Sequence, residues 1–194
     1  PLLPLNTVLF PGCLLDLQIF EARYLDMISR CMKQGTGFGV VTIGEGREVG
    51  EAPSRLAMVG CEASVRDWQQ RPNGLLGIRV EGGRRFQVLS VEVQADQLSV
   101  GEIEWFEDLP EQPLTYEHND LAALLSVLGE HPMVAALEMG GEPGGQQDLA
   151  NQLAYLLPFD TERKLELLAL PDAQMQLARI QVLLEHLQGE LGID

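Results

Sequence analysis

The feature that most constrains this chain is a change of hydrophobic period in its middle, at the acidic, Pro-containing stretch 107–116, "EDLPEQPLTY". Before it, apolar residues come in short runs that alternate or cluster as in β-strands. After it, they recur at three- and four-residue spacing, as on helices with one buried face. A chain of 194 residues holds one domain or two small ones at roughly 100–200 residues per domain. The sequence is therefore divided into a β-rich part, 1–108, a linker, 109–116, and a helical part, 117–194.

In the first part, strands are expected at 2–5, 13–19, 38–43, 56–65, 75–80, 84–93 and 98–106. Gly82-Gly83 lies between two of these runs and reads as a tight hairpin turn, which needs positive φ angles. In "RRFQVLSVEV", Phe86 and Val88 share one phase and Leu89, Val91 and Val93 the other. The buried face must therefore switch near Val88, by a bulge or a bend between packed sheets, and this favours a curled sheet or barrel. One helix interrupts the strands. From Phe20 onward Tyr24, Ile28, Cys31 and Met32 recur at helical spacing, acids precede bases as the helix dipole favours, and Gly35 supplies a stop.

In the second part a helix is expected over 119–128, and "GGEPGG" at 140–145 reads as a loop. A second helix carries Leu149, Leu153, Leu156 and Leu157 and ends at Pro158. Asp160 is placed as the N-cap of a third, 161–169. The last helix carries Leu177, Ile180, Leu184, Leu187 and Leu191, a stripe suited to core packing.

Charge follows the same division. Residues 1–101 hold 11 acidic and 10 basic side chains, whereas 102–194 hold 18 and 3. A field so negative repels phosphate, which argues against nucleic acid as a partner of the second half. Cys13, Cys31 and Cys61 are odd in number, widely spaced and far from any His, as reduced buried thiols would be. No apolar run reaches the roughly 18–20 residues that a bilayer demands. The start lacks a basic segment, and Pro4, Asn6, Pro11 and Gly12 break any signal-like run. No membrane association is expected, and the expected location is the cytoplasm.

Catalytic signatures are missing from the sequence. It has no Walker A cradle, no nucleophile elbow, and no Ser beside a His. His118, His131 and His186 lack metal-ligand spacing. Glu102 and Glu104 alternate with Ile103 and Trp105 and read as a solvated strand face rather than an acid/base pair. No catalytic residue, metal or cofactor is expected.

Several segments together resemble the amino-terminal substrate-binding domain of Lon proteases in its stand-alone bacterial form. They are "LPLNTVLFPGCLLDLQIFEARY", "FGVV" with a loop ending "EVG", "VGCEASV", "IRVEGGRRFQV" and "LANQLAYLLPFDTERKLELLALPDAQMQLARI". Their order and spacing span nearly the whole chain. The resemblance implies an α+β protein, a PUA-like β-pseudobarrel with one helix followed by an α-helical bundle. It also implies a recognition module without the ATPase and Ser-Lys protease domains of full-length Lon. The function expected is non-catalytic binding of unfolded or regulatory polypeptide segments, with a protease as a further partner.

Sequence-tolerant recognition needs exposed apolar surface and strand-edge pairing. The candidates are Leu9, Phe10 and Pro11 at the Pro-Gly turn, and Trp68 in the polar run "RDWQQRPNG", read as a loop. Glu21, Arg23 and Tyr24 read as helix-start packing with an internal ion pair. The alternative is RNA binding by a PUA-like domain, through the one basic-aromatic cluster, Arg79, Arg84, Arg85 and Phe86.

Overall fold

The computed structural model describes residues 1–190, so the expected helical position Leu191 lies outside the described residues. The chain divides into two compact units, Pro1–Glu107 and Asp108–Asp194.

The first unit is a six-stranded mixed sheet, β1 (Leu2–Leu5), β2 (Leu14–Ile19), β3 (Phe38–Glu45), β4 (Arg55–Gln70), β5 (Leu76–Val93) and β6 (Ser99–Trp105), with helix α1 (Ala22–Gln34) between β2 and β3. The order is β1-β3-β4-β5-β2, with β6 also on β5. β1 and β3 are parallel, and the other pairs are antiparallel.

β5 organises this sheet. Its first residues pair with β2 and its last with β6, while β4 lies along the opposite edge. The strand runs unbroken through Gly82 and Gly83, so the expected hairpin there is not formed. The β4–β5 turn falls instead after Gln70, where the Arg71 N–H donates to the Leu75 carbonyl at 2.8 Å. The glycine pair serves another purpose. The β4 register passes from Cys61↔Arg85 to Ala63↔Gly82, which leaves β5 with an extra residue, a bulge. The Pro-Gly turn before β2 also comes down onto Gly82. The Gly12 N–H donates to the Gly82 carbonyl at 2.8 Å and the Gly82 N–H to the Cys13 carbonyl at 2.9 Å.

The slip expected in β5 is present as a bulge, but the expected transfer of burial to Leu89, Val91 and Val93 is not, because all three are exposed. The β5–β6 register slips between Val88 and Ser90, so Phe86, Val88, Val91 and Val93 stand opposite Trp105, Ile103, Gly101 and Ser99. Phe86 and Val88 pack with Leu2 and Val41 in a buried cluster, flanked by Leu56 and Ile103. Val91 and Val93 share that side of the sheet but remain exposed.

α1 ends at Gly35, whose φ of 65° is the left-handed conformation that glycine adopts freely. At its start the buried Arg23 meets Glu21 at 3.0 Å and donates to the Gln97 carbonyl at 2.7 Å. This is the internal ion pair expected, and it also ties the helix to the turn that precedes β6.

The second unit holds α2 (Asn119–Gly129), α3 (Pro132–Ala136), α4 (Gln146–Leu156), α5 (Thr161–Ala169) and α6 (Ala173–Glu190). α3 was not legible from the sequence. Pro132, read as a breaker, occupies its first turn, where a missing N–H costs nothing, and His131 accepts from the Met133 N–H as N-cap. Asp160 caps α5 by accepting from the Arg163 N–H at 2.8 Å.

α4 starts at a glycine that offers no side-chain cap. The Glu111 carboxylate fills that role from outside the helix, accepting from the N–H groups of Gln147 at 2.8 Å and Asp148 at 3.1 Å. A negative charge on free N–H groups at a helix start is doubly favourable. Glu111→Ala is expected to destabilise the helical unit by about 1–2 kcal/mol. Urea titration followed by far-UV circular dichroism measures this, and an unchanged midpoint would show that the cap contributes nothing.

Candidate functional site

The structure withdraws the turn from the candidate contact surface. Leu9 is 1% exposed and Phe10 0%, and only Pro11 is partly accessible. The hydrogen bonds to Gly82 fold this turn inward, so both apolar side chains serve the core rather than a partner.

Trp68 is placed differently. It lies on β4, not in a loop, because β4 continues to Gln70 and Trp68 pairs with Ile78 of β5. Its indole is 54% exposed. Trp68 is among the residues lining a groove of about 380 Å³ over β2, β5 and β4, together with Asp16, Gln18, Asp67, Gln69, Arg71 and Arg79. Arg79 donates to both oxygens of Asp16, at 2.8 and 3.0 Å. That hydrogen bonding, more than any other influence, holds the Asp16 carboxyl below its ordinary value of 3.8.

The basic-aromatic cluster does not form one surface. Arg79 is committed to Asp16. Arg84 stacks on the Trp105 indole, 3.8 Å from the ring centre, with Glu62 at 3.7 Å. Arg85 is buried, which pulls its guanidinium pKa down, and it lies 4.8 Å from the ring centre of Phe106. Phe86 is 1% exposed. Only Arg84 keeps a substantially open guanidinium among these, too little to follow a phosphate backbone.

A second apolar surface escaped the sequence reading. Trp105 is 41% exposed and meets the buried Phe86 edge-on at 6.0 Å. Since Val59 pairs with Gln87 and Gly60 with Phe86, the register continued by one residue sets Met58 beside Val88. Met58 is exposed as well. The only signal in the sequence was the alternation that put Ile103 and Trp105 on one face of β6, and that pattern alone does not distinguish a covered face from an open one. Trp68 and Trp105 are the two tryptophans of the chain, and both are exposed on the first unit.

Cys13, Cys31 and Cys61 are buried and form no disulfide, and burial pushes the Cys61 thiol up to about 12. Among the described residues no group of three or more His, Cys, Asp or Glu side chains could hold a metal ion. No described helix is long and apolar enough to cross a membrane.

The architecture is of the α+β class, a mixed sheet with one helix followed by a set of helices, with Trp68, Trp105 and Met58 exposed on the sheet. The chain belongs to the family of the ATP-dependent protease La (LON) substrate-binding domain, whose sequence profile matches residues 1–186. A Lon N-terminal domain protein from Xanthomonas campestris has a similar structure, with a TM-score of 0.74 and 32% identity over 94% of this chain and 96% of that one. The N-terminal domain of Mycobacterium avium complex Lon protease shares the fold, at a TM-score of 0.60 and 19% identity over 95% of each chain. Lon protease 2 of Herpetosiphon aurantiacus is 27% identical over 198 residues. That match takes in 96% of this chain but spans only 23% of the relative's length.

Proposed function

We propose that the chain is a non-catalytic polypeptide-recognition module that binds unfolded or regulatory segments and serves a protease in the cytoplasm. The observation that carries this reading is the exposure of both tryptophans, 54% for Trp68 and 41% for Trp105, on the first unit of a chain from a substrate-binding family. Exposed indole is costly in water and is a common anchor where polypeptides meet. Three cysteines outside any disulfide accord with a reducing compartment.

Fluorescein-labelled β-casein, a natively unfolded protein, tests this by anisotropy. Saturable binding is expected, with Trp68→Ala weakening it about tenfold while thermal unfolding stays unchanged. Absence of binding by the unaltered chain sinks the reading. Full affinity in Trp68→Ala removes Trp68 from the contact surface.

A further inference from the structure

β4 outlasts its neighbour on one side. β3 pairs with it only as far as Ala63, whereas β5 stays paired through Gln70. Residues 64–70 therefore have β5 along one edge and, among the described residues, no strand along the other. All of them except Val65 are exposed. An edge of this kind presents a row of backbone donors and acceptors and is a template for another chain.

Two features guard it. The register slips between Val65 and Asp67, a bulge that interrupts the edge. The Asp67 carboxylate also accepts the N–H of Trp68 at 2.8 Å. The Arg71 N–H donates to the Leu75 carbonyl, and along an antiparallel strand alternate residues face the partner, so the N–H groups of Gln70 and Trp68 point into the open edge.

The side chains indicate the same place. Leu17, Ile78 and Trp68 lie in one row across β2, β5 and β4. Ile78 is 3% exposed and Trp68 54%. Apolar side chains set side by side across strands stabilise a sheet, and this row stops at an indole with one flank uncovered.

We propose that an extended polypeptide segment adds to β4 along residues 64–70 as a further strand. It displaces the Asp67 carboxylate from the Trp68 N–H and sets an apolar side chain beside the indole. The occupant is an unfolded stretch with an apolar residue at alternate positions. Backbone pairing gives sequence-tolerant affinity, and the flank of Trp68 gives the apolar preference. This inference rests on the polypeptide-binding reading and adds its mode. Asp67 acts in it as a removable guard of the edge.

The test uses the full chain and two fluorescein-labelled decapeptides of alternating threonine and valine, one unmodified and one N-methylated at alternate residues. The second keeps the side chains but loses donors along one edge. N-methylation is expected to weaken binding about tenfold or more, and Asp67→Ala to tighten the unmodified peptide by about threefold to tenfold. Gln70→Pro is expected to weaken it, since proline there removes an outward donor and no bond to β5. Equal affinity for the two peptides, or no change in either variant, overturns strand addition. β-Casein separates the two levels. If casein binds and responds to Trp68→Ala while the peptides do not differ, only strand addition falls. If neither casein nor peptide binds, the polypeptide-binding reading falls with it.

Discussion

Phe10→Ala is expected to destabilise the β-rich unit by about 3–5 kcal/mol, the usual cost of emptying a buried phenylalanine site. The ring is 0% exposed, with Leu9 beside it at 1% and Cys13 at 0%. The turn that carries it cannot follow a shrinking core. The Cys13 N–H donates to the Phe10 carbonyl at 3.1 Å, and Gly12 and Cys13 are both bonded to Gly82. A rigid wall leaves a cavity rather than a collapse, which places the cost toward the upper end of the range. Because whole domains have only about 5–15 kcal/mol of stability, the loss is a large fraction of the total. Urea denaturation followed by tryptophan fluorescence reports it, since both tryptophans lie in this unit. Casein affinity per folded molecule should stay unchanged, for Phe10 touches no solvent. A loss below about 1 kcal/mol would show that the ring is not the anchor described.

The same residue shows where the sequence was legible and where it was not. Local chemistry was readable. The run 2–5 forms β1, the stretch 161–169 forms α5 under its Asp160 cap, and Gly35 ends α1. Each of these depends on residues within a turn or two of one another. The phase change in β5 was equally visible, because alternation has to slip wherever a bulge occurs. The misplaced features depend on distant chain. Leu9 and Phe10 flank a Pro-Gly turn, and most turns lie at the surface. This one is drawn inward by Gly82, some seventy residues away. Trp68 sits among polar residues that suggest a loop, yet pairing with Ile78 extends β4 past it. Trp105 follows Ile103 in a regular alternation, but Ile103 is packed against the buried cluster and Trp105 lies at its open margin. Periodicity assigns a residue to a face. Whether that face is covered depends on which other elements arrive there.

Gly82→Ala carries the second large effect. A Cβ on Gly82 would stand 2.0 Å from the Phe10 carbonyl oxygen, 2.8 Å from its carbon and 3.3 Å from the Cys61 sulfur. Real Cβ atoms do not approach backbone so closely, so the Pro-Gly turn has to move away. Moving it stretches both bonds between Gly82 and the Gly12–Cys13 turn, and it drags Phe10 from its site. Overpacking costs about 1–3 kcal/mol and each lost hydrogen bond about 0.5–1.5 kcal/mol, so a total of about 3 kcal/mol or more is expected. Gly83→Ala is the control. Its Cβ would meet Glu62 Oε1 at 3.0 Å, the far end of a flexible side chain, and a cost below about 1 kcal/mol is expected. Urea denaturation ranks the two variants, and hydrogen exchange at the Gly12 amide should accelerate in Gly82→Ala alone. Equal stability of the two would mean that the turn does not rest on Gly82. The expected asymmetry separates two uses of adjacent glycines that look alike in the sequence. The first lets a backbone segment approach, and the second sits in the bulge that follows it.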